Sequence, residues 1–146
     1  MKLENLNTVR RGDQMGKMVM PSVSYSFSGD LKKTRGFLNS LRRNEFLKHL
    51  NTYGRMGVDA LRDATPRDTG VTANSWSYVI EQGHDWVKIT WTNSSENRSI
   101  PIALLLQYGH ATRNGGWVSG IDYINPALKP IFDKISKSAW EEVKRL

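Results

Sequence analysis

Hydrophobic and polar residues alternate strictly between Ser22 and Ser28, where Val23, Tyr25 and Phe27 are separated by serines. A two-residue period is typical of a half-buried β-strand, because successive side chains point to opposite faces of a sheet. We therefore predict a strand over residues 22–28. Residues 1–21 show no sustained period, so they are predicted to form an N-terminal arm that is either mobile or ordered against a partner.

Helical periodicity follows this strand. Gly29 ends the strand, and Asp30 is an N-cap candidate for a helix with apolar residues at Leu31, Phe37, Leu38 and Leu41. Apolar residues then recur every three or four positions over residues 44–64, which predicts an amphipathic helix. Gly54 and Gly57 each weaken a helix by about 1 kcal/mol relative to Ala, so they indicate close packing of another backbone or a local kink.

Residues 65–70 have the composition of a turn. Pro66 disfavours further helix before it, Asp68 and Thr69 can hydrogen-bond to the backbone, and Gly70 can adopt a positive φ. The turn motif consists of Pro66, Arg67, Asp68, Thr69 and Gly70. We expect it to fix the angle between the helix and the next element.

A β-hairpin is predicted after the turn. Trp76, Tyr78 and Ile80 alternate along one strand, and residues 86–91 alternate along a second strand, with residues 82–85 between them. Residues 93–99 are predicted to be a polar loop, and residues 102–108 a short buried helix that stops at Gly109.

The last third of the chain ends in a predicted helix. Residues 111–119 have the composition of an exposed, adaptable loop around Trp117. Asn125 and Pro126 suit the N-cap and first residue of a helix whose apolar stripe runs to the C-terminus, with a kink near Pro130. The predicted fold class is α+β, with an antiparallel β-sheet packed against a long helix and a C-terminal helix, forming a single domain over residues 22–146.

Composition narrows the function classes. The chain has 146 residues, which suits one core, and it has no cysteine, which excludes disulfides and thiolate metal clusters. The longest apolar run is five residues, 102–106, so we predict no membrane span. The N-terminus lacks the apolar core of a signal peptide, so the protein is expected to stay where it is made.

The sequence shows no constellation of catalytic residues. His49, His84 and His110 lie on different predicted elements, without the spacing that places two metal ligands on one helical face. Residues 109–120 contain four glycines but neither a phosphate-loop ending nor a dinucleotide-binding spacing. We therefore predict no enzyme activity, no metal and no cofactor.

Positive charge is concentrated in the first half. The net charge is +7, and residues 1–63 contain 12 Lys and Arg against 6 Asp and Glu. Six basic residues fall within seventeen positions: Lys32, Lys33, Arg35, Arg42, Arg43 and Lys48. They form either a phosphate-attracting patch or simply the solvated faces of two helices, and the sequence leaves both interpretations open.

Three segments resemble a known family. Residues 65–70, Thr-Pro-Arg-Asp-Thr-Gly, followed by Asn74-Ser75, are similar to an Ala-Pro-Arg-Asp-Thr-Gly signature. The second segment, residues 107–118, contains Gln-Tyr-Gly-His and Asn-Gly-Gly-Trp-Val, and the third, residues 123–128, reads Tyr-Ile-Asn-Pro-Ala-Leu. In this order they resemble the neck, or head-tail joining and tail-completion, family of long-tailed bacteriophages, over about residues 45–140.

The resemblance implies a structural virion protein at the head-tail junction, made in the host cytoplasm. Its partners would be further copies of itself in a ring, the adjacent connector, stopper, tail-terminator or tail-tube proteins, and packaged DNA facing the basic half. Candidate subunit-interface residues are Trp117, Tyr108, His110 and Arg113, because aromatic and Arg side chains are favoured at interfaces. The alternatives are a tail terminator that caps the tail tube and a non-specific nucleic-acid-binding protein.

Overall fold

The computed structural model describes residues 22–28, residue 39, and residues 45–83 and 86–145. The elements in chain order are β1 (Ser22–Ser28), α1 (Glu45–Ala64), a 3₁₀ turn (Ala73–Ser75), β2 (Trp76–Gln82), β3 (Trp86–Asn93), β4 (Glu96–Asn97), β5 (Ile100–Pro101), α2 (Ile102–Tyr108), β6 (Gly109–Ala111), β7 (Trp117–Ser119) and α3 (Ile124–Lys144). The predicted arm, and the helix predicted from Asp30 apart from helical Asn39, lie outside the described residues.

The central sheet has three antiparallel strands in the order β1-β3-β2. Trp91 of β3 pairs with Val23 of β1 on one side and with Tyr78 of β2 on the other. Along β3, Val87, Ile89 and Trp91 are buried, as the alternating pattern predicts. The predicted strand and hairpin are therefore confirmed. The structure adds that β1 pairs with β3, so the strand and the hairpin form one sheet.

Helix α1 lies against this sheet through its two glycines. A Cβ atom at Gly54 would come within 2.8 Å of Cγ of Tyr78, and one at Gly57 within 2.7 Å of Cζ2 of Trp91. The indole Nε1 of Trp91 donates a hydrogen bond to the Gly54 carbonyl oxygen at 2.9 Å. The glycines thus admit two aromatic rings, and the expectation that another backbone packs there is wrong.

Helix α3 completes the core. It packs on α1, and its buried residues Leu128, Ile131 and Ile135 join Leu50 and Leu61 of α1 in one hydrophobic cluster. The ring of Phe132 lies 5.9 Å from that of Trp91, measured between centroids. The fold is α+β, with an antiparallel sheet packed against a long helix and the C-terminal helix, as predicted. None of the described helices is long and apolar enough to cross a membrane.

The N-terminus of α3 differs from the prediction. The helix begins at Ile124, so Asn125 lies inside it, and its Nδ2 donates to Oδ1 of Asp122 at 3.0 Å. The backbone N–H groups of Tyr123 and Ile124 are instead accepted by Oε1 of Gln107, each at 3.1 Å. A side chain from α2 therefore supplies an acceptor for backbone N–H groups at the start of the helix, where N–H groups have no carbonyl partner within the helix.

Two segments expected to be loops contain short hairpins. Strands β4 and β5 pair within residues 96–101, joined by Arg98 and Ser99, which have φ angles of 49° and 64°. Two consecutive positive φ values are the requirement of the tight two-residue hairpin turns whose twist matches the strands. The second hairpin, β6–β7, forms in the segment where an adaptable loop is predicted, and it carries most of the candidate interface residues.

Candidate functional site

The β6–β7 hairpin is an ordered ribbon. Gly109 pairs with Ser119, His110 with Val118 and Ala111 with Trp117. The N–H of Thr112 donates to the Gly116 carbonyl at 2.8 Å, and that of Gly115 donates to the Thr112 carbonyl at 3.1 Å. Gly115 has a φ of 82°, so the loop is the three-residue type with a glycine in the left-handed region. The Asn114-Gly115 dipeptide is the turn signal that sequence reasoning missed.

The base of the hairpin is held tightly to the body. A Cβ atom at Gly109 would come within 2.7 Å of the Gly120 backbone nitrogen, so the two backbones touch where the strands begin and end. The Ile121 N–H donates to the Leu106 carbonyl at 2.9 Å. Gln107 is buried, and its Nε2 donates to Oδ1 of Asp122 at 2.6 Å. The direction in which the hairpin projects is therefore set by α2 and the start of α3.

Both faces of the hairpin expose large apolar side chains. Trp117 and Val118 are adjacent in β7, so their side chains lie on opposite faces of the ribbon, and they are 65% and 46% exposed. Tyr108 and Ile121, at the base, are 58% and 61% exposed. We call these four residues the hairpin surface. Single exposed apolar residues are normal on a protein surface, whereas several large ones in one short segment are typical of interaction sites.

The other two candidate interface residues belong to the same hairpin. Arg113 is exposed in its loop. His110 is only half-buried, but its Nδ1 atom is enclosed and has no hydrogen-bond partner among the described residues. The structure thus brings Tyr108, His110, Arg113 and Trp117 together, with His110 the least available for contact. Val118 and Ile121 are additional surface residues, which sequence periodicity could not separate from core positions.

The turn motif packs beneath the sheet through the residue just before it. Thr65 is buried, its hydroxyl donates to the Leu61 carbonyl at 2.5 Å, and it accepts a hydrogen bond from Nε1 of Trp76 at 2.9 Å. The predicted positive φ of Gly70 is confirmed at 83°. The Thr65 contacts connect the end of α1 to the first residue of β2; the role of the motif in fixing their angle stays a prediction.

Within the motif, the other side chains contribute less. Thr69 accepts a hydrogen bond from the Val71 N–H at 3.4 Å. Pro66 is half-buried, and Arg67 lies 3.9 Å from Asp63, with both side chains exposed. Asp68 is exposed, and in the part of the chain that the structure describes it has neither the expected backbone hydrogen bond nor an ion pair.

The basic cluster is only partly described. Lys48 is exposed on α1, whereas Lys32, Lys33, Arg35, Arg42 and Arg43 lie outside the described residues. The proposal that these residues form a phosphate-attracting patch therefore stays a prediction.

Titratable groups do not gather into a reaction centre in the described ranges. His49 lies on α1 and His110 in β6, while His84 lies outside the described residues. No group of three or more His, Asp or Glu side chains placed to hold a metal ion occurs among residues 22–28, 39, 45–83 and 86–145. Burial raises the pKa of Tyr123 to about 12, partly opposed by a hydrogen bond with the Thr65 side chain. Its hydroxyl donates to the Ala103 carbonyl at 3.0 Å, which is a structural contact.

Comparison with models of protein families, with curated proteins and with solved structures finds no match to this chain.

Proposed function

We propose that the protein is a structural component of a long-tailed bacteriophage virion that forms or completes a ring at the head-tail junction. The observation that carries this proposal is the β6–β7 hairpin. It projects from a rigid base and exposes Trp117 and Val118 on opposite faces. A two-stranded ribbon is marginally stable by itself, so large apolar side chains on both of its faces favour burial between neighbouring proteins.

The positions of the resembling segments support the same function. The segment with Gln107 at its start and Trp117 near its end forms the hairpin and its anchor, and the segment at residues 65–70 forms the turn between α1 and β2. Residues 123–128 form the beginning of α3, which Gln107 caps. The three segments thus coincide with turns, a hairpin and a helix start, which are the places where the chain changes direction.

The proposed partners follow from this function. Contacts between unlike surfaces of identical subunits generate rings when the rotation closes, so further copies of this chain are the first partner. Neighbouring connector, stopper, tail-terminator or tail-tube proteins would contact the two sides of the ring. The basic N-terminal half would face packaged DNA or an acidic ring beside it.

Electron microscopy of particles made by a phage lacking this gene tests the proposal. We expect filled heads and finished tails lying separate, because the junction between them is missing. Overlong tails would instead assign the protein as the tail terminator. Normal infectious virions would contradict both virion functions and favour the nucleic-acid-binding alternative, for which duplex binding that weakens steeply with salt is the signature.

A further inference from the structure

The tip of the β6–β7 hairpin contains the one place in the chain where Gly follows Asn, at Asn114-Gly115. Both residues are exposed, and a Cβ atom built on Gly115 would meet no heavy atom within 4 Å, so the space around this glycine is open. In the described part of the chain, no hydrogen bond or ion pair holds the Asn114 side chain. The Asn114 amide is therefore free to rotate beside the Gly115 backbone, in contact with water.

An Asn side chain in this situation can lose ammonia spontaneously. The Gly115 nitrogen gives up its proton to a base and forms a bond to Cγ of Asn114, while the bond from Cγ to Nδ2 breaks and ammonia leaves. Water then opens the resulting five-membered imide at either carbonyl, which yields aspartate or isoaspartate. The reaction consumes one water and needs no other reactant. Glycine favours it because it has no Cβ atom to hinder the approach.

The fold holds the attacking nitrogen back through Thr112. The Gly115 N–H donates to the Thr112 carbonyl at 3.1 Å, and the Thr112 N–H donates to the Gly116 carbonyl at 2.8 Å. The Gly116 N–H donates to Oγ1 of Thr112 at 2.9 Å. Three hydrogen bonds from one residue thus keep the loop closed. The Gly115 N–H has to leave the Thr112 carbonyl before its nitrogen can attack, so the reaction starts from a locally opened loop.

Other described asparagines lack this combination. Asn97 is also exposed in a hairpin, but Arg98 follows it, and a side chain at that position hinders the attack. Asn51 is held by hydrogen bonds to the Leu47 carbonyl and from the Tyr78 hydroxyl. Asn97 is therefore the internal control for exposure without a following glycine.

We infer that Asn114 is a site of spontaneous deamidation, and that Thr112 sets its rate by holding the hairpin loop closed. Arg113 is the only Lys, Arg, Asp or Glu in residues 109–121, so a carboxylate beside it changes the formal charge of this segment from +1 to zero. Isoaspartate also routes the backbone through a side-chain carbon. This lengthens the three-residue loop and disturbs the pairing that positions Trp117 opposite Ala111.

Mass spectrometry of the purified full-length protein during incubation in mildly alkaline buffer tests the inference. Peptide mapping that separates aspartate from isoaspartate follows each asparagine over time. We expect conversion at Asn114 and several-fold slower conversion at Asn97. Asn114→Gln should remain unmodified at this position over the same period, because a glutamine side chain would have to form a six-membered ring, which is slower.

Two variants of Thr112 test the control by the loop. Thr112→Val removes the hydroxyl that accepts from the Gly116 N–H, whereas Thr112→Ser keeps it. We expect Asn114 to react about two- to tenfold faster in Thr112→Val than in Thr112→Ser, because one hydrogen bond that closes the loop is lost. In concentrated urea the loop is absent, so all proteins that keep Asn114 should react equally fast, and faster than the folded wild type.

Three results would overturn the inference. The first is an Asn114 that stays unmodified in the folded protein after the unfolded chain has reacted completely. The second is conversion of Asn97 at the same rate as Asn114. The third is a rate for Thr112→Val that equals the rate for Thr112→Ser in the folded protein, or that exceeds it by the same factor in urea.

The effect of the modification on assembly rests on the proposed function, whereas the modification itself does not. When heads and tails are joined in a test tube, aged wild-type protein should restore less infectious titre than fresh protein, and aged Asn114→Gln should match its fresh form. Aged and fresh wild type that join equally well would contradict the effect on the hairpin. If fresh protein joins nothing, the proposed function fails, and the mass measurement still decides whether Asn114 is modified.

Discussion

Replacing Gly57 by Ala places a methyl group against the best-buried ring in the protein. The new Cβ would lie 2.7 Å from Cζ2 of Trp91, whereas carbon atoms in contact prefer about 3.5–4.0 Å. The ring therefore has to move by about 1 Å. It is enclosed by the core and by Phe132, and its Nε1 is held to the Gly54 carbonyl at 2.9 Å, so movement in any direction is costly.

Three contributions set the size of the effect. Overpacking a core costs about 1–3 kcal/mol. Displacing the indole far enough to leave its N–H unpaired adds about 1–3 kcal/mol. The higher helix propensity of Ala offsets about 1 kcal/mol of this destabilisation. We therefore expect Gly57→Ala to lower the free energy of unfolding by about 3 kcal/mol.

Guanidinium denaturation followed by tryptophan fluorescence measures this change. Thr52→Ala in the exposed part of the same helix is the control, and it should change stability by less than about 0.5 kcal/mol. Adding Trp91→Phe to Gly57→Ala removes the clashing ring atoms, so the two substitutions together should cost clearly less than the sum of their separate effects. A Gly57→Ala variant as stable as the wild type, or more stable, would refute the proposed packing of ring on glycine.

Further substitutions address the turn, the buried phenol and the hairpin. Thr65→Val removes the hydroxyl that pairs Trp76 with the end of α1 and should cost about 1–3 kcal/mol in the same denaturation assay, with Thr65→Ser close to the wild type. Because burial raises the pKa of Tyr123 to about 12 from 10.0, its contribution to stability is intact below pH 10 and is lost as pH rises through 12. Across this pH range the free energy of unfolding of the wild type should fall by about 2–3 kcal/mol more than that of Tyr123→Phe. An equal fall in the two proteins would argue against a buried phenol. Trp117→Ala should change the free energy of unfolding by less than about 0.5 kcal/mol yet abolish self-association in sedimentation, whereas loss of the fold would assign Trp117 to the core.

The main elements of the fold were predictable because their signals are local. The serine alternation of residues 22–28 and the three-and-four spacing along α1 each follow from the repeat of a strand or a helix. Gly70 was predictable as well, since a turn that needs a positive φ favours glycine. These signals require no knowledge of what packs against the segment.

The departures arise from contacts between distant segments. Gln107 caps α3 from sixteen and seventeen residues away, and local capping rules point instead to Asn125. The aromatic rings over Gly54 and Gly57 come from two strands, which a helical pattern cannot identify. Trp117 was predictable as an interface candidate because it is a large aromatic residue in a polar segment. That Trp117 and Val118 lie on opposite faces of a hairpin could be recognised only from the pairing of β6 with β7.

Joining heads to tails in a test tube would test the proposed junction function most directly. Filled heads and finished tails from phage lacking the gene are mixed with the purified full-length protein, and the infectious titre is measured. We expect the wild-type protein to restore the titre, and Trp117→Ala, although folded, to leave it at background, because the hairpin can no longer hold neighbouring proteins. A titre that stays at background with the wild-type protein, or that recovers equally with Trp117→Ala, would contradict the proposed junction formed through the hairpin.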